Sequence, residues 1–310
     1  MKKMFVVGEG DAGVRLDKLV VRESGLGRAA VKRLFELGSV RLSSGKKVDR
    51  NGPLAPGSEV VMELPEVSDE APIIAEEDAS LRVLLERADL VVVDKPAGQP
   101  TAPLRGGETG TLANALAARW PEMRDIGFSP REPGLLHRLD NDTSGVIVAV
   151  RTAAAWEGLL AAMRAEEIDK RYLAICEDQD LGDSGSIDFP LAPHPKDARR
   201  VLACIHPRDV ERLAPRPASS RFEVKQRENG LALVEIRAQR ALRHQIRAHL
   251  AGVGCPIVGD VLYGSTSHQE LGRHALHAAS VAFAGNDAVK GFFAEAALPP
   301  ELASLVAAAG

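Results

Sequence analysis

Apolar residues recur along the chain at two spacings, one typical of amphipathic helices and one typical of buried strands. In VRLDKLVVRE, Leu16, Leu19 and Val20 fall on one face of a helix, with cationic residues elsewhere on it. The segment RAAVKRLFELG repeats this spacing and ends at Gly38, a residue type that terminates helices. The short apolar runs SVRL, KKV and SEVVMEL follow and predict strands. Residues 13–64 are therefore predicted to form a small module of two basic helices and a small sheet.

An acidic, proline-containing stretch at 65–79 is predicted to be a linker to a second unit at 80–300. Strands are predicted there at DLVVVDKP, GVIVAV, KRYLAIC and ALVEIRAQ. Helices are predicted at TLANALAARW, AAAWEGLLAAMRAEE and RHQIRAHLAG. Because helices and strands mix without strict βαβ alternation, the pattern favours an α+β fold over a doubly wound one.

Charge is distributed unevenly, and this changes what the overall balance implies. The chain has 310 residues and a formal net charge of −4, which alone argues against a nucleic-acid partner. Residues 1–64, however, carry twelve Lys and Arg against eight Asp and Glu, and residues 199–247 carry twelve against five. Most of the second set is Arg, whose planar fork suits phosphate. Charge asymmetry by itself leaves nucleic-acid binding and a solvated surface equally open.

Several function classes lack their signatures. The N-terminal apolar patch is too short for a signal peptide, and no apolar run approaches the roughly 18 residues of a membrane span. Three cysteines without CxxC spacing argue against a disulfide scaffold. No GxGxxG motif follows a strand, and there is no P-loop or carboxylate cluster. We expect a cytoplasmic protein that uses neither a cofactor nor a metal.

The segment HRLDNDTSGVIVAVR places Asp140 beside a turn, at the entrance to a strand that is apolar throughout. We expect the strand to be buried on both faces and Thr143-Ser144-Gly145 to hold the turn. A rigidly held, partly hydrated carboxylate suits a nucleophile or a general base. The alternative is that Asp140 caps the turn and pairs with Arg138 on the surface.

The segment RHQIRAHLAG predicts a helix with Arg243 and Arg247 four residues apart on one face. Arg247 is then placed to pair with a carboxylate and Arg243 to meet a phosphate. His244 and His249 are five apart, which is not the spacing of two metal ligands on one helix face. In KRYLAI, Tyr172 follows two cations, so it is either a platform for stacking on a base or a core residue.

Taken together, the segments VVVDKPAG, GLLHRLDNDTSGVIVAV, KRYLAI, RHQIRAHLAGVGCPIVGDVLYG and RHALHA resemble the RluA-type pseudouridine synthases over roughly residues 89–298. Residues 13–64 resemble the small RNA-binding module of ribosomal small-subunit protein S-four. The resemblance implies a mixed, mainly antiparallel central sheet with flanking helices and a catalytic cleft. It also implies isomerisation of uridine to pseudouridine in structured RNA, without cofactor or metal.

The resemblance also assigns roles to residues. Asp140 matches the catalytic aspartate, with attack on the ribose and action as a base both left open. Arg138 matches an arginine that helps displace the flipped nucleotide, Tyr172 the tyrosine that stacks on the base, and Arg247 the partner of the aspartate. Substrate contacts are expected from five residues: Arg138, Tyr172, Arg247, Arg243 and His137. RNA contacts of the N-terminal module are expected from Arg15, Lys18, Arg28, Lys32 and Arg33.

Two departures from the family pattern bear on substrate contacts. Asn141 follows Asp140 where a Lys or Arg is usual. The stretch RALR places Leu242 where an arginine is expected, with Arg240 or Arg243 available to compensate.

We therefore predict a monomeric enzyme whose partner is RNA, with large-subunit ribosomal RNA expected by family analogy and transfer RNA as an alternative. Two other functions remain open on the sequence. One is a catalytically weak or inactive RNA-binding or assembly protein that keeps the fold. The other is a metal-dependent hydrolase that uses His137, His244 and His249.

Overall fold

The computed structural model describes residues 2–24, 26, 28–64, 72–239, 241–266, 268 and 270–307, with the backbone alone described for residues 28–30. Contacts divide the chain into two compact units. The first comprises Met1–Ser80 and Ala102–Pro133, and the second comprises Leu81–Thr101 and Gly134–Gly310.

The first unit contains the small sheet and the two basic helices. Its elements are β1 Lys2–Val6, α1 Leu16–Ser24, α2 Arg28–Glu36, β2 Val40–Leu42, β3 Glu59–Glu63 and α3 Leu112–Arg119, with 3-10 helices at Glu9–Asp11 and Pro121–Asp125. The sheet has the antiparallel order β1-β3-β2. Leu16, Leu19 and Val20 are buried, as their spacing predicted. At Gly38 the backbone has φ +67, so this residue ends α2 in the left-handed conformation that glycine adopts at low cost.

The first unit differs from its predicted boundaries. Strand β1 lies before residue 13 and pairs with β3, so the small sheet starts earlier than predicted. The predicted strand KKV forms only a single bridge, between Arg41 and Lys47. Of the predicted linker, 65–71 lie outside the described residues, whereas 72–79 pack on α3: Asn114 Nδ2 donates to the Ile74 carbonyl at 2.7 Å. Residues 102–133 group with this unit rather than with the predicted 80–300 domain.

The second unit contains the large sheet. Its strands are β4 Arg82–Glu86, β5 Leu90–Lys95, β6 Ser144–Val150, β7 Ile168–Glu177, β8 Ser184–Ile187, β9 Leu191–Pro193, β10 Val201–Ala203, β11 Ser220–Glu228, β12 Leu231–Arg237, β13 Leu276–Gly285 and β14 Lys290–Glu295. Its helices are α4 Ala153–Arg164, α5 Pro207–Leu213, α6 Gln245–Gly252 and α7 Pro300–Ala303, with 3-10 helices at Val261–Tyr263 and Ser304–Val306.

In the described part of the chain, the large sheet has nine strands in the order β4-β5-β6-β13-β7-β12-β11-β8, and β14 pairs with β13. The pairing of β13 with β6 is parallel, and the other pairings are antiparallel. Strands β9 and β10 form a separate hairpin. The mixed, mainly antiparallel sheet agrees with the predicted α+β class. Among the described helices, none combines the length and the apolar character that a membrane span requires.

Strand β6 mounts the loop that carries Asp140. All seven of its residues are buried, which confirms that this apolar run is covered on both faces. Gly145 has φ +113, and a Cβ built on it would lie 2.1 Å from the carbonyl oxygen of Ala278 on β13. The close parallel approach of β6 and β13 therefore requires glycine at this position.

Candidate active site

Asp140 lies in the turn that leads into β6, and its side chain is 25% exposed. The turn is closed by the Thr143 N–H, which donates to the Asp140 carbonyl at 3.1 Å. Arg247 Nη1 on α6 donates to Asp140 Oδ2 at 2.8 Å. Among the described residues, no hydrogen bond reaches Oδ1. One carboxylate oxygen is thus fixed by protein and the other remains available to a substrate.

Arg247 binds a second carboxylate at the same time. Its Nε and Nη2 donate to the two oxygens of Asp260 at 2.6 and 2.9 Å, and the Asp260 side chain is 1% exposed. Burial opposes the charge of Arg247, but the hydrogen bonds to Asp260 and then to Asp140 outweigh it and hold its pKa above the ordinary value. The guanidinium therefore stays charged, and Asp260 fixes the direction in which it faces Asp140.

His244 and Tyr263 form the next contacts around Asp140. The Tyr263 hydroxyl accepts the Val201 N–H at 2.8 Å and lies 3.0 Å from His244 Nδ1. Burial lowers the pKa of His244, so the ring is neutral near pH 7. The other ring nitrogen of His244, Nε2, lies 3.6 Å from Asp140 Oδ2. This distance is longer than a direct hydrogen bond.

Tyr172 lies on β7 and is 5% exposed. Burial, and then the negative charge of Asp140, raise the pKa of its hydroxyl. The phenol stays neutral, and the ring forms part of the apolar core beside the carboxylate. The sequence left a core role and a stacking role open, and this placement is compatible with both.

Lys95 is a buried cation that the sequence reasoning did not single out. It ends β5, is 0% exposed, and donates to the carbonyls of Pro96, Gln99 and Asn141 at 2.8 to 2.9 Å. Burial lowers its pKa to about 8, opposed by the charges of Asp142 and Asp140. Lys95 thereby ties the loop after β5 to the residue that follows Asp140. The sequence signal that could have identified Lys95 is its position at the end of an apolar strand.

The hydroxyls of Thr143 and Ser144 do not hold the turn as predicted. Thr143 Oγ1 lies 2.7 Å from His274 Nε2, and Ser144 Oγ lies 2.9 Å from His277 Nδ1. Both hydroxyls therefore join the entrance of β6 to the RHALHA segment, which leads into β13. Burial lowers the pKa of His274 to about 4, so this histidine is neutral at pH 7.

Residues 89–252 match the family described as RNA pseudouridylate synthase. The matched range contains Asp140, Tyr172 and Arg247, whereas Asp260 and Tyr263 follow it in the chain. This match covers more than half of the chain. The chain belongs to the RNA pseudouridylate synthase family.

The relatives support this assignment to an RNA-modifying isomerase. The chain is 34% identical over 247 residues to the ribosomal large subunit pseudouridine synthase D of Xanthomonas campestris, covering 76% of this chain and 71% of that protein. It is 31% identical over 293 residues to an uncharacterized RNA pseudouridine synthase of Bacillus subtilis, covering 94% and 93%. The relatives named pseudouridine synthase D agree with the RluA-type resemblance.

A solved structure shows that the fold is shared. Human RNA pseudouridylate synthase domain containing 1 has a TM-score of 0.54 and 20% identity, covering 73% of this chain and 93% of that one. The predicted fold class is thus confirmed. The family match and the named relatives, rather than this structure, show that the protein is an enzyme that acts on RNA.

Arg243 does not share a helix face with Arg247, contrary to the prediction. Helix α6 begins at Gln245, and His244 before it has φ +51, which turns the chain away from the helix at that point. Arg243 Nη2 instead donates to the carbonyls of Ala198 and Arg199 at 3.0 and 2.6 Å, in the loop between β9 and β10. Arg240 lies outside the described residues.

The histidines of the hydrolase hypothesis have separate partners. His137 Nε2 accepts the Val148 N–H at 3.1 Å, and burial lowers its pKa to about 3. His249 uses both nitrogens, with Ser220 Oγ at 2.9 Å and the Phe189 carbonyl at 2.8 Å. Within the described ranges, no three His, Cys, Asp or Glu residues are grouped so that they could hold a metal. In this synthase His137 contacts β6, and its contact with substrate stays a prediction.

Arg138 and the predicted RNA-contact residues of the first unit differ in their exposure and their partners. Arg138 is exposed two residues before Asp140, and the ion-pair partner shown for Asp140 is Arg247 rather than Arg138. In the first unit, Arg15 Nη2 bonds Asp17 at 2.6 Å and Asn51 at 2.7 Å. Exposed side chains on α1 and α2 include Lys18, Lys32 and Arg33, whereas the side chain of Arg28 lies outside the description.

Proposed function

We propose that this pseudouridine synthase modifies large-subunit ribosomal RNA and that Asp140 is its catalytic carboxylate. The observation that carries the assignment is the hydrogen bond from Arg247 to one oxygen of Asp140, in a side chain that is a quarter exposed. A guanidinium orients the carboxylate that it binds, and partial exposure leaves that carboxylate open to a substrate. Relatives named ribosomal large subunit pseudouridine synthase D support the choice of RNA.

The reaction needs little besides positioning and one ionised group. The bond between a ring nitrogen and the ribose breaks, the base turns, and a bond forms to a ring carbon. The hydrogen on that carbon is lost while the nitrogen gains one, so the reaction has no net need for an oxidant or a reductant. A charged, fixed carboxylate serves either as nucleophile or as base in such a step.

The target uridine must leave its stack before the reaction, which costs a few kcal/mol. We assign Tyr172 to stacking on the flipped base and Arg138, exposed beside Asp140, to displacing the nucleotide. Phosphate contacts supply most of the affinity for RNA, and we include the first unit's exposed Lys18, Lys32 and Arg33 among the residues that make them.

The test is a map of pseudouridines in total RNA from cells with and without the gene. We expect loss of pseudouridine at one or a few positions of large-subunit ribosomal RNA, restored by the wild-type gene. Loss confined to transfer RNA would contradict the choice of substrate. An unchanged map in both RNA classes would contradict the enzyme's proposed role.

A further inference from the structure

The loop between β9 and β10 carries an arginine that the site described above does not use. The Arg200 guanidinium lies over the ring of Tyr263, with Cζ 5.3 Å from the ring centroid. Its Nε is buried and has no hydrogen-bond partner among the described residues. The described residues also give its guanidinium no salt bridge. A stacked guanidinium keeps its edge free for an anion.

The backbone around Arg200 is held in place from several sides. The Arg200 N–H donates to the Asp197 carbonyl at 3.0 Å, and the Arg200 carbonyl accepts the His194 N–H at 3.2 Å. The next residue, Val201, donates its N–H to the Tyr263 hydroxyl at 2.8 Å. On the other side, Arg243 binds two carbonyls of the same loop. The arginine is thus positioned before any ligand binds.

The neighbouring Arg199 is a contrasting case. Its Nε and Nη2 both bind Asp197, at 3.0 and 2.8 Å, and its side chain is 79% exposed. These bonds hold the pKa of the Asp197 carboxyl well below its usual range. The acidic group of this loop is therefore already paired with Arg199, and it forms no salt bridge with Arg200 among the described residues.

Tyr263 links Arg200 to the residues around Asp140. The ring that carries Arg200 also lies 5.1 Å from the guanidinium carbon of Arg247, and its hydroxyl bonds His244. Arg247 and His244 are the residues that contact Asp140. A ligand bound to Arg200 would therefore lie next to the proposed reaction site.

Leu242 stands where the family pattern has an arginine, so a substrate contact expected at this position must come from another cation. Leu242 packs in an apolar cluster with Tyr263, Ala248 and Val201, below the β9–β10 hairpin. It supplies no charge, and Arg243 is engaged by carbonyls. Two cations lie over the Tyr263 ring of this cluster, and of these Arg247 is already bound to Asp140 and Asp260, which leaves Arg200.

We propose that Arg200 binds a backbone phosphate of the RNA adjacent to the target nucleotide. The proposal rests on the proposed function for the location of the reaction, and on the geometry of the hairpin for the contact itself. A phosphate offers the two oxygens that match the free edge of a guanidinium. Binding there would fix the strand that must be distorted when the uridine leaves its stack.

The test compares Arg200→Gln with the matched control Arg199→Gln in the full-length protein. The substrate is large-subunit ribosomal RNA transcribed with [5-³H]uridine, and activity is the release of tritium. We expect Arg200→Gln to raise KM about tenfold with kcat nearly unchanged, because one charge-assisted contact is lost. The Arg199→Gln variant should keep both constants, and Arg200→Lys should recover part of the loss.

The salt dependence of RNA binding distinguishes a phosphate contact from a purely structural role of Arg200, because a structural role would leave it unchanged. The slope of log Kd against log salt, measured on the same transcript, should become shallower by about 0.7–0.9 for Arg200→Gln, as expected for one lost phosphate contact. An unchanged slope, a fall in kcat alone, or equal effects in Arg199→Gln would overturn the proposal. If the wild type released no tritium, the proposed function would fail, and the slopes would still decide on Arg200.

A neutral phosphate analogue locates the contact on the RNA. Once the target uridine is mapped, a methylphosphonate is placed on either side of it in a synthetic substrate. One of the two substitutions should raise KM about tenfold for the wild type and have little further effect in Arg200→Gln. Additive effects at both positions would show that Arg200 does not bind these phosphates.

Discussion

Arg247 illustrates how single residues define this site, because one buried guanidinium serves two carboxylates. The parallel pair of bonds to Asp260 orients the group, and the remaining nitrogen reaches Asp140. The partner role of Arg247 toward Asp140 followed from the family resemblance. The sequence did not identify Asp260 as the second partner of Arg247, because no local pattern states which carboxylate faces a given arginine across a fold. The arrangement requires a planar, multiple donor rather than any cation.

We therefore predict that Arg247→Lys impairs both activity and stability. A lysine ammonium keeps the charge but cannot maintain three hydrogen bonds in these directions, so one buried carboxylate loses its partner. We expect kcat to fall at least about a hundredfold and the free energy of unfolding to fall by about 3 kcal/mol. Tritium release and urea denaturation measure the two effects.

The control is Arg171→Lys, whose half-exposed partner Asp169 lies 3.0 Å from Nε. The Arg171→Lys substitution should lower the free energy of unfolding by less than about 1 kcal/mol, because solvent screens such pairs. Wild-type kcat in Arg247→Lys would contradict the orienting role.

At the scale of elements, the strands and helices that carry the site follow from local pattern. The apolar run of β6 predicted a strand buried on both faces, and the spacing in RHQIRAHLAG predicted α6 apart from its first residues. The pattern did not reveal the partners of Thr143 and Ser144, because His274 and His277 are more than 130 positions away. Strand β1 was missed since its pairing with β3, rather than its own short sequence, makes it a strand.

The contact between β6 and β13 gives a prediction about an element. Gly145→Ala would place a methyl group 2.1 Å from the Ala278 carbonyl oxygen at a residue with φ +113, so backbone must move. We expect a loss of more than about 3 kcal/mol in the free energy of unfolding. Chemical denaturation of the purified variant measures it.

Gly254 is a matched control, because it has φ +82 and no atom within 4 Å of a built Cβ. Gly254→Ala should cost only about 1 kcal/mol, from backbone strain without a clash. Equal losses in the two variants would show that the close approach of β6 and β13 is unimportant.

At the scale of the whole molecule, stability should depend on histidines that are buried in the neutral form. Burial lowers the pKa of His274 from 6.5 to about 4 in the folded protein, whereas the unfolded chain keeps the ordinary value. Below pH 6.5 the unfolded state therefore binds more protons, and stability is lost as the pH falls towards 4.

We predict that the free energy of unfolding falls between pH 7 and pH 4, with His274 contributing about 3 kcal/mol of the decrease. His274→Gln removes this titrating group and should give a shallower pH profile, even if it lowers stability at pH 7. Urea denaturation across this range measures both proteins. A variant profile parallel to that of the wild type would contradict the assignment of this pH dependence to His274.

The role of Asp140 as the catalytic carboxylate is tested by tritium release from [5-³H]uridine-labelled ribosomal RNA by the Asp140→Asn variant. Asp142→Asn is the control, because Asp142 is an exposed carboxylate of the same loop. We predict that Asp140→Asn loses at least about a thousandfold in kcat while its Kd for RNA, set mainly by phosphate contacts, stays within about threefold. Asp142→Asn should remain active. Tritium release by Asp140→Asn at the wild-type rate would show that Asp140 is not the catalytic carboxylate.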